Sequence, residues 1–477
     1  MWEILKQISS LASSLDCSLY LVGGTIRDKL LGYDPRDIDL VVSGSCLPLA
    51  ELLAKELQGT VVVMDQERET VRVVVKPHYQ IDLSPLKGNC IERDLLARDF
   101  TINALAIKLS DYNNEWISKL IDPLGGLQDI KLGLLRAVSN SSLLDDPLRV
   151  LRGVRLAARY NLSILPPTSV LIKQGARRIH ESAGERIWQE LASLLSLHHS
   201  YTWVDYMDRE LELWHYLLPG RLRMEETRQN YYHVENVWRH SLRTMACLES
   251  IIKELPIILS NGQFLLEKLQ AELAGRKSRM SVLKLATLLH DVGKPDTAST
   301  NENGTISFHG HPEAGLPYAE ILAKQLKMSW LEKQYLLDLV RFHMKPLHLY
   351  TSRDKSDLAV YRLFRDLQPT PFDVLILSLA DLTATYTAGE RLSESSAYTS
   401  FCLKLIEEYS SRQNFYNPPS FLKGDDLLAL GVPRGPMIGE YLEMLNEAQI
   451  TGEVQDTHSA KKWISNKLTK RCLSPEC

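Results

Sequence analysis

Two aspartates are the residues of this chain best suited to holding a metal ion. Asp37 and Asp39 stand two positions apart in 37–42, an alternating and then apolar run that predicts a β-strand. Carboxylates at i and i+2 of a strand project to the same face, where they repel each other unless a cation lies between them. Mg²⁺ is coordinated by such oxygen ligands and commonly binds phosphate oxygens at the same time. An Asp-x-Asp pair alone, however, is more often a solvated strand edge.

A glycine pair upstream suits the binding of a phosphate. Gly23 and Gly24 end the apolar run 19–22, and because they lack Cβ atoms their N–H groups can approach a phosphate closely. Thr25 can add a hydroxyl, and Arg27 lies near the start of the following helix, where anions are favoured. A Gly-Gly turn is usually only a turn. Together with the aspartates downstream, it predicts a site where two metal ions stabilise the attacking and leaving oxygens of a phosphate.

The elements that must position these residues predict an α+β fold. The first hundred residues mix strand-like runs with a helical segment at 47–57, and the further strands are predicted at 60–64, 71–75 and 80–83, with Asp82 at the end of the last. From residue 146 onward the apolar spacing is mostly three and four, which predicts long helices. Polar or turn-rich segments predict loops at 261–279 and 297–305 and a linker at 414–420.

Composition excludes several classes of protein. The 477 residues predict two to four domains, and no apolar run approaches the roughly 18 residues that cross a bilayer. The start of the chain has no signal-peptide pattern, and seven scattered cysteines without a Cys-x-x-Cys pair fit the cytoplasm. The net charge of −4 lacks the overall basic excess that is typical of nucleic-acid-binding proteins. The arginine-rich segment 149–186 is either a local phosphate-binding face or a solvated helical surface.

Several motifs in a consistent order resemble one known family. Besides GGTIRD at 23–28 and DID at 37–39, they are RDFTINAL at 98–105, DPLGG at 122–126 with Asp129, DDPLRVLR at 145–152 and ER at 185–186. This series is similar to the nucleotidyltransferase head of the polymerase-β superfamily. More narrowly, it resembles bacterial class II CCA-adding tRNA nucleotidyltransferases and poly(A) polymerases. The resemblance covers about residues 20 to 190.

The resemblance implies roles for individual residues. Asp37 and Asp39 would hold the catalytic Mg²⁺, and Asp82 is a candidate third carboxylate that helps to deprotonate the primer hydroxyl. The base would be selected by side chains that pair with the Watson–Crick edges of C and A, so that the protein acts as the template. The implied nucleotide-binding residues are Gly23, Gly24, Arg27, Asp28, Arg98, Asp99, Asn103, Asp146, Arg149, Arg152 and Arg155.

Simpler structural roles compete with some of these assignments. Asp82 is equally well explained as a turn residue, and Asp146 before Pro147 is a standard helix start with proline at the first helical position. Spacing of three along a helix puts Asp146 beside Arg149. Phe100 is expected in the core, and Asn103 is expected to brace the site by hydrogen bonds.

Three departures from the family pattern stand out. Ala97 replaces an arginine often found before Arg98, and Asp145 replaces a glutamate. The stretch 83–93 is short, whereas complete CCA-adding members carry a longer flexible segment there that is linked to the switch from adding C to adding A. The shortening puts complete CCA addition in doubt and favours a CC-adding or otherwise partial enzyme.

A second set of residues resembles the signature of HD phosphohydrolases. His240, the doublet His290-Asp291 and Asp381 would together bind a divalent metal such as Mg, Mn, Ni, Co, Fe or Zn. Three further histidines, His309, His311 and His343, could supply ligands for a second metal or bind phosphate.

The resulting hypothesis has four parts along the chain. They are a nucleotidyltransferase head (1–135), a helical nucleotide-selecting neck (136–220), an HD domain (225–395) and a helical tRNA-binding tail (396–477). The expected reaction adds C and/or A from CTP and ATP to the tRNA 3′ end, with the acceptor–TΨC arm as the contact and no membrane or DNA partner. The alternatives are a poly(A) polymerase and an HD phosphohydrolase with an RNA-docking head. The sequence does not give the oligomeric state.

Overall fold

The computed structural model describes residues 2–13, 15, 17–35, 37–76, 79–229, 235–274, 277–388 and 392–472. The chain forms two compact units, Met1–Leu217 and Leu218–Cys477. A mixed α+β region followed by helices confirms the predicted fold class. The domain boundaries given above stay predictions.

The first unit contains all the strands of the main sheet. Its helices and strands are α1 (Trp2–Ser13), β1 (Leu19–Val22), α2 (Gly23–Leu30), β2 (Asp37–Val42), α3 (Cys46–Glu56), β3 (Thr60–Asp65), β4 (Thr70–Val75), β5 (Tyr79–Pro85), α4 (Ile91–Leu96), β6 (Ala106–Lys108), α5 (Gly126–Leu132), β7 (Leu134–Leu135), α6 (Ser142–Asp145), α7 (Leu148–Tyr160), β8 (Ser163–Ile164), α8 (Pro166–Ala176), α9 (Gly184–Leu195), α10 (Tyr201–Arg209) and α11 (Trp214–Leu217).

The sheet has the strand order β3-β4-β5-β2-β1-β6. Strands β2 and β5 pair in parallel, and their register sets Asp39 opposite Asp82. Ile38 and Leu40 alternate with the two aspartates along β2 and are buried, because alternate side chains of a strand face opposite sides. Asp82 therefore lies inside β5, and its predicted position at a strand end is wrong.

Strand β3 differs from its predicted environment. The run 60–64 was expected to be buried or half-buried, yet β3 is an edge strand on which Val62, Val63 and Met64 are 41%, 49% and 54% exposed. An apolar run does not distinguish an edge strand from a central one, since both satisfy the same local pattern. The predicted helix at 47–57 matches α3 to within one residue at each end.

Helix α7 packs closely on the segment that follows α4. A Cβ atom on Gly153 would lie 2.6 Å from Cζ of Phe100, so the helix needs glycine at this crossing. Phe100 is fully buried, as predicted, and Trp188 of α9 is buried as well. The short parallel pair β7–β8 shows that some strand structure persists beyond residue 134.

The second unit is almost entirely helical. Its elements are α12 (Arg221–Glu226), α13 (Val237–Ile258), α14 (Gly262–Gln270), β9 (Glu272–Ala274), β10 (Lys277–Ser278), α15 (Arg279–Leu289), α16 (Lys294–Thr297), β11 (Ser299–Thr300), β12 (Ile306–Ser307), α17 (His311–Gln325), α18 (Trp330–Phe342), α19 (Lys345–Thr351), α20 (Asp357–Asp366), α21 (Pro371–Ala388), α22 (Leu392–Ser411), α23 (Gln413–Tyr416), α24 (Gly424–Ala429), α25 (Pro436–Ile450) and α26 (Thr457–Cys472).

Two segments predicted as loops contain regular structure. Helix α14 occupies much of 261–279, and the β11–β12 hairpin covers 299–307 and so most of the segment 297–305. The predicted linker at 414–420 includes most of α23, whose Tyr416 is buried. Within the described residues, no helix has the length and apolarity that a membrane span requires.

Candidate active sites

The glycine pair brings the start of α2 against the carboxylate of Asp39. Gly23 has φ +62°, and a Cβ atom there would lie 2.6 Å from Nη1 of Arg98. A Cβ atom on Gly24 would lie 3.1 Å from Oδ2 of Asp39. Glycine is therefore required at this junction, where a carboxylate and a guanidinium lie close to the backbone and the Gly23 N–H donates to the Leu105 carbonyl at 3.1 Å.

Thr25 anchors strand β2. Its hydroxyl accepts a hydrogen bond from the Asp39 N–H at 2.7 Å and donates one to the Asp37 carbonyl at 3.2 Å. The Thr25 side chain is buried. Its hydroxyl thus fixes the strand that carries both aspartates and is not directed to a phosphate as predicted.

The electrostatic surroundings of Asp39 favour a cation. Burial raises the pKa of Asp39, Asp82 raises it further, and the nearby Arg98 and Arg27 only partly oppose this, so that the pKa is about 6. Asp37 also raises it, from an exposed position at the start of the strand. This excess of negative charge around Asp39 fits a divalent metal ion.

Asp82 has a counter-charge that the sequence analysis did not anticipate. Nε and Nη2 of Arg72 donate to its two carboxylate oxygens at 2.6 and 2.7 Å. Arg72 lies on β4, directly across from Asp82 in the antiparallel register. In this arrangement Asp82 adds negative charge near Asp39 while its own oxygens are engaged by Arg72.

Arg27 belongs to a hydrogen-bonded network that joins α2 to α7. Its Nε donates to Oδ1 of Asp28 at 2.9 Å, and its Nη1 donates to Oδ1 of Asn103 at 2.5 Å. Its Nη2 donates to the hydroxyl of Tyr160 at 2.9 Å, and that hydroxyl donates to Asp28 at 2.6 Å. The sequence analysis missed Tyr160, which lies more than one hundred and thirty positions away.

The segment that contains RDFTINAL is held by buried acids. Arg98 donates through Nε and Nη2 to Oδ2 of Asp94 at 3.1 and 3.0 Å. Asp99 accepts from Nδ2 of Asn103 at 2.9 Å and lies 3.4 Å from Nη1 of Arg152. Asn103 therefore makes the bracing hydrogen bonds expected of it, between Arg27 and Asp99.

The start of α7 differs from the predicted arrangement. Asp146 pairs with Arg186 at 3.1 Å and not with Arg149. Arg149 instead donates to the carbonyls of Ser142 and Ala97 at 2.8 and 3.1 Å, and to that of Arg98 at 3.3 Å. Helix α7 begins at Leu148, so Pro147 precedes it and is not its first residue. Sequence spacing correctly places these residues on one turn but does not fix where long side chains point.

Glu190 is a second residue that the sequence analysis missed. Its two oxygens accept from Nε of Arg152 at 3.1 Å and from Nε of Arg155 at 2.5 Å. Burial lowers the pKa of Arg152, but Asp99 and Glu190 outweigh this effect and raise it above its ordinary value. The sequence feature that could have identified Glu190 is a charged residue on the apolar face of α9, on the same side as Ile187 and Leu191.

Glu190→Gln should destabilise the first unit. The amide keeps the shape of the side chain but leaves two arginines without their shared charge, and we expect a loss of about 1–3 kcal/mol in the free energy of unfolding. Urea unfolding measures it. The control is Glu181→Gln, which breaks an exposed pair with Arg178 and should change nothing measurable. Equal behaviour of the two variants would contradict a structural role for Glu190.

The second unit brings together the four residues of the HD signature. Nε2 of His240 lies 2.7 Å from Oδ1 of Asp381, and Nε2 of His290 lies 3.2 Å from Oδ2 of Asp291 and 3.6 Å from Oδ1 of Asp381. The ligand atoms of all four lie within 4.8 Å of one another. Helices α13 and α21 each supply one residue, and the doublet directly follows α15.

A second group shares Asp291. His311 and His343 have their Nε2 atoms 3.2 Å apart, and His311 lies 3.2 Å from Oδ1 of Asp291. These three residues also have ligand atoms within 4.8 Å of one another. His309 is exposed and lies outside both groups. Among the described parts of the chain, groups of three or more such ligands occur only here.

The orientation of the histidines fits metal binding. Nδ1 of His290, His311 and His343 lies 2.8, 2.9 and 2.8 Å from the carbonyls of Thr287, Phe308 and Val340. Such bonds place the proton on Nδ1 and leave Nε2 as the ligand atom. Nε2 of His290 is buried, and within the described residues its contacts with the carboxylates of Asp291 and Asp381 lack hydrogen-bond geometry. This donor set suits a transition metal or Mg²⁺-type cation.

The HD site strongly attracts positive charge. Burial lowers the pKa of His290, but Asp291 and Asp381 outweigh it and raise the pKa to about 10. Lys294 lies 2.7 Å from Oδ2 of Asp291. His343 is different, because burial and the neighbouring His290 and His311 lower its pKa to about 3 and keep its ring neutral.

Family models match three parts of the chain. The Poly A polymerase head domain matches residues 19–136, a probable RNA and SrmB-binding site of polymerase A matches 161–223, and the HD domain matches 237–386. The three matches lie in the same order as the sites described above.

Curated relatives match over nearly the whole chain. The A-adding tRNA nucleotidyltransferase of Deinococcus radiodurans is 31% identical over 460 residues, which cover 93% of this chain and 94% of the relative. The CC-adding tRNA nucleotidyltransferase of Geobacter sulfurreducens is 28% identical and covers 96% and 94%.

Solved structures share the fold. A CCA-adding enzyme in complex with CTP has a TM-score of 0.62 at 22% identity, covering 99% of this chain and 95% of that one. The Thermotoga maritima CCA-adding enzyme complexed with tRNA has a TM-score of 0.58 at 23% identity, covering 98% and 95%. This chain belongs to the tRNA nucleotidyltransferase and poly(A) polymerase family and carries an HD domain.

Proposed function

We propose that the chain is a template-independent tRNA nucleotidyltransferase that adds C and/or A to the tRNA 3′ end. The observation that carries this proposal is the convergence of Gly23, Gly24 and Arg98 on the carboxylate of Asp39. In the reaction, the tRNA 3′-hydroxyl attacks the α-phosphate of CTP or ATP, and pyrophosphate leaves. The A-adding and CC-adding relatives support this assignment over a poly(A) polymerase.

The residues of the head site have separate roles in this reaction, and Asp82, paired with Arg72, is the candidate third carboxylate that helps to deprotonate the primer hydroxyl. Asp37 and Asp39 would hold Mg²⁺, which when bound would activate the attacking hydroxyl and neutralise charge on the phosphates. The N–H groups at the start of α2, together with Arg27 and Arg98, bind the triphosphate. Asp28, Asp99 and Asn103 keep the arginines in place through the hydrogen bonds described above.

Base selection is assigned to a half-buried face in the first half of α7 and the residues just before it. Asp146, Arg149, Arg152 and Arg155 are the residues proposed to meet the base or its phosphates. Arg152 is 34% exposed and Arg155 is 19% exposed, and both are held by Glu190. Guanidinium groups fixed by a buried carboxylate present their remaining N–H donors in one direction, as recognition of a base edge requires.

Within this reaction we assign the chain to the enzymes that add C only. The supporting observation is the direct connection from β5, which ends at Pro85, to α4, which begins at Ile91. Residues 86–90 leave no room for the longer segment that complete CCA-adding members carry there.

The assay offers purified protein and Mg²⁺ three tRNA transcripts that end before CCA, after C and after CC. We expect the first two to be extended to CC with CTP, and no transcript to gain A from ATP. Addition of A to the CC-ended transcript alone would indicate an A-adding enzyme, and full CCA on the first would show that residues 86–90 suffice. Long A tails on any RNA would favour a poly(A) polymerase. Lack of incorporation in every case would refute the nucleotidyltransferase assignment.

The HD site supports a second activity on the same chain. Two ligand groups that share Asp291 could hold two divalent cations, an arrangement suited to hydrolysis of phosphate mono- or diesters. The alternative in which hydrolysis is the main activity and the head only docks RNA is tested by substitutions at both sites. We place the protein in the cytoplasm, where tRNA, CTP and ATP are its partners.

A further inference from the structure

Tyr160 connects the two ends of the proposed nucleotide site. It is the last residue of α7 and is 8% exposed. Its hydroxyl donates to Asp28 and accepts from Arg27, and its ring lies under the Arg27 guanidinium with 4.6 Å between the Cζ atom and the ring centroid. The Tyr160 side chain thus contacts the face of the Arg27 guanidinium with its ring and the edge of the guanidinium with its hydroxyl.

The base-selecting arginines of α7 extend from its first turn to its middle, ending at Arg155, five residues before Tyr160. Arg149 is tied to the carbonyls of Ala97 and Arg98, and Gly153 packs against Phe100. The helix spans thirteen residues, or roughly 20 Å, and has no proline at which it could kink. A displacement at its first turn is therefore transmitted to its last residue.

We infer that Tyr160 is a positioning residue that couples base selection to alignment of the triphosphate, an inference that rests on the proposed nucleotidyltransferase function. When a correct base seats against Arg152 and Arg155, α7 holds the Tyr160 hydroxyl where it orients Arg27. An incorrect base shifts the helix, and Arg27 then holds the triphosphate in a position where its α-phosphate is not aligned with the attacking 3′-hydroxyl. Discrimination between bases consequently depends on a hydroxyl that touches no base.

The substitution Tyr160→Phe isolates this contribution. It keeps the ring beneath Arg27 and the contact with Tyr33, whose ring centroid lies 5.6 Å away, and removes only the hydroxyl. Tyr33→Phe is the matched control, since Tyr33 is exposed and lies outside the proposed machinery. Thermal unfolding of both variants checks that neither loses its fold.

The experiment measures kcat and KM for CTP, and for UTP as the incorrect nucleotide, on the transcript ending before CCA. For Y160F we expect kcat with CTP to fall about tenfold, as loss of a hydrogen bond to a charged group predicts, with little change for UTP. Discrimination should fall by the same factor. In an R27A background Y160F should add no further loss, because the hydroxyl acts through Arg27.

The possible outcomes separate two failures. If the unsubstituted protein incorporates CTP but Y160F matches it, or loses CTP and UTP activity equally, the coupling is refuted and the proposed function stands. Additive losses in the R27A background would also refute it. If the unsubstituted protein incorporates no nucleotide, both the proposed function and the coupling that rests on it are refuted.

Discussion

Replacing Asp39 with asparagine should abolish nucleotide addition while making the metal-free protein more stable. A bound metal supplies several kcal/mol of transition-state stabilisation, so the loss of a ligand is expected to lower the rate by about a thousandfold or more. Asp37→Asn should act in the same direction. Incorporation of radiolabelled CTP into tRNA measures both variants.

The stability gain follows from the raised pKa of Asp39. Its folded pKa of about 6 lies above the ordinary value of 3.8, so the folded state binds the proton more tightly and the ionised carboxylate opposes folding. The penalty is absent below pH 3.8, grows as pH rises, and is complete above about 6. Because Asp39 is partly exposed, we expect D39N to gain about 2 kcal/mol at pH 7.5 in chelator.

A pH series of urea unfolding tests this prediction. The difference between D39N and the unsubstituted protein should vanish toward pH 4 and narrow on addition of Mg²⁺, which stabilises only the protein with its ligands intact. Asp34→Asn, an exposed substitution, is the control for loss of charge. A stability gain by D34N as large as that of D39N would show that the effect is only one of net charge.

The parts of the head site that are local in sequence were predictable. The β1–α2 glycine junction and the aspartate pair each depend on residues within a few positions of one another, so local patterns were enough to identify them. The HD residues are far apart, yet each sits in a distinctive helical context that could be identified singly. Their assembly into two groups around Asp291 required the structure.

The contacts that hold the reactive residues were not predictable. Tyr160, Glu190 and Arg72 occupy ordinary positions in their own elements, and their roles arise only when α7, α9 and β4 pack beside the site. The position of β5 was recognised, but the register that sets Asp39 opposite Asp82 is a tertiary property. Helix α14 was missed although Leu265 and Leu269, one helical turn apart, form its buried face.

The HD site should be separable from the head site by substitution. His290→Gln and Asp291→Asn each remove a ligand, and we expect both to lower hydrolysis of p-nitrophenyl phosphate or its bis-ester by about a thousandfold or more. Both should also lose Mn²⁺ binding measured by calorimetry. D291N retains an acceptor for Lys294, which limits its effect on folding. His309→Gln is the matched control, because His309 is exposed and outside both ligand groups.

Measuring both activities in every variant shows whether the chain has one catalytic activity or two. If the chain carries two activities, H290Q and D291N keep nucleotide addition, while D39N keeps hydrolysis, since each reaction uses its own metal ligands. If the head only docks RNA to a hydrolase, the unsubstituted protein adds no nucleotide, and D39N hydrolyses phosphate esters normally. If the HD ligands are only structural, H290Q lowers both activities together with the unfolding temperature. The intact ligand set and the anchored Nδ1 atoms favour the first outcome.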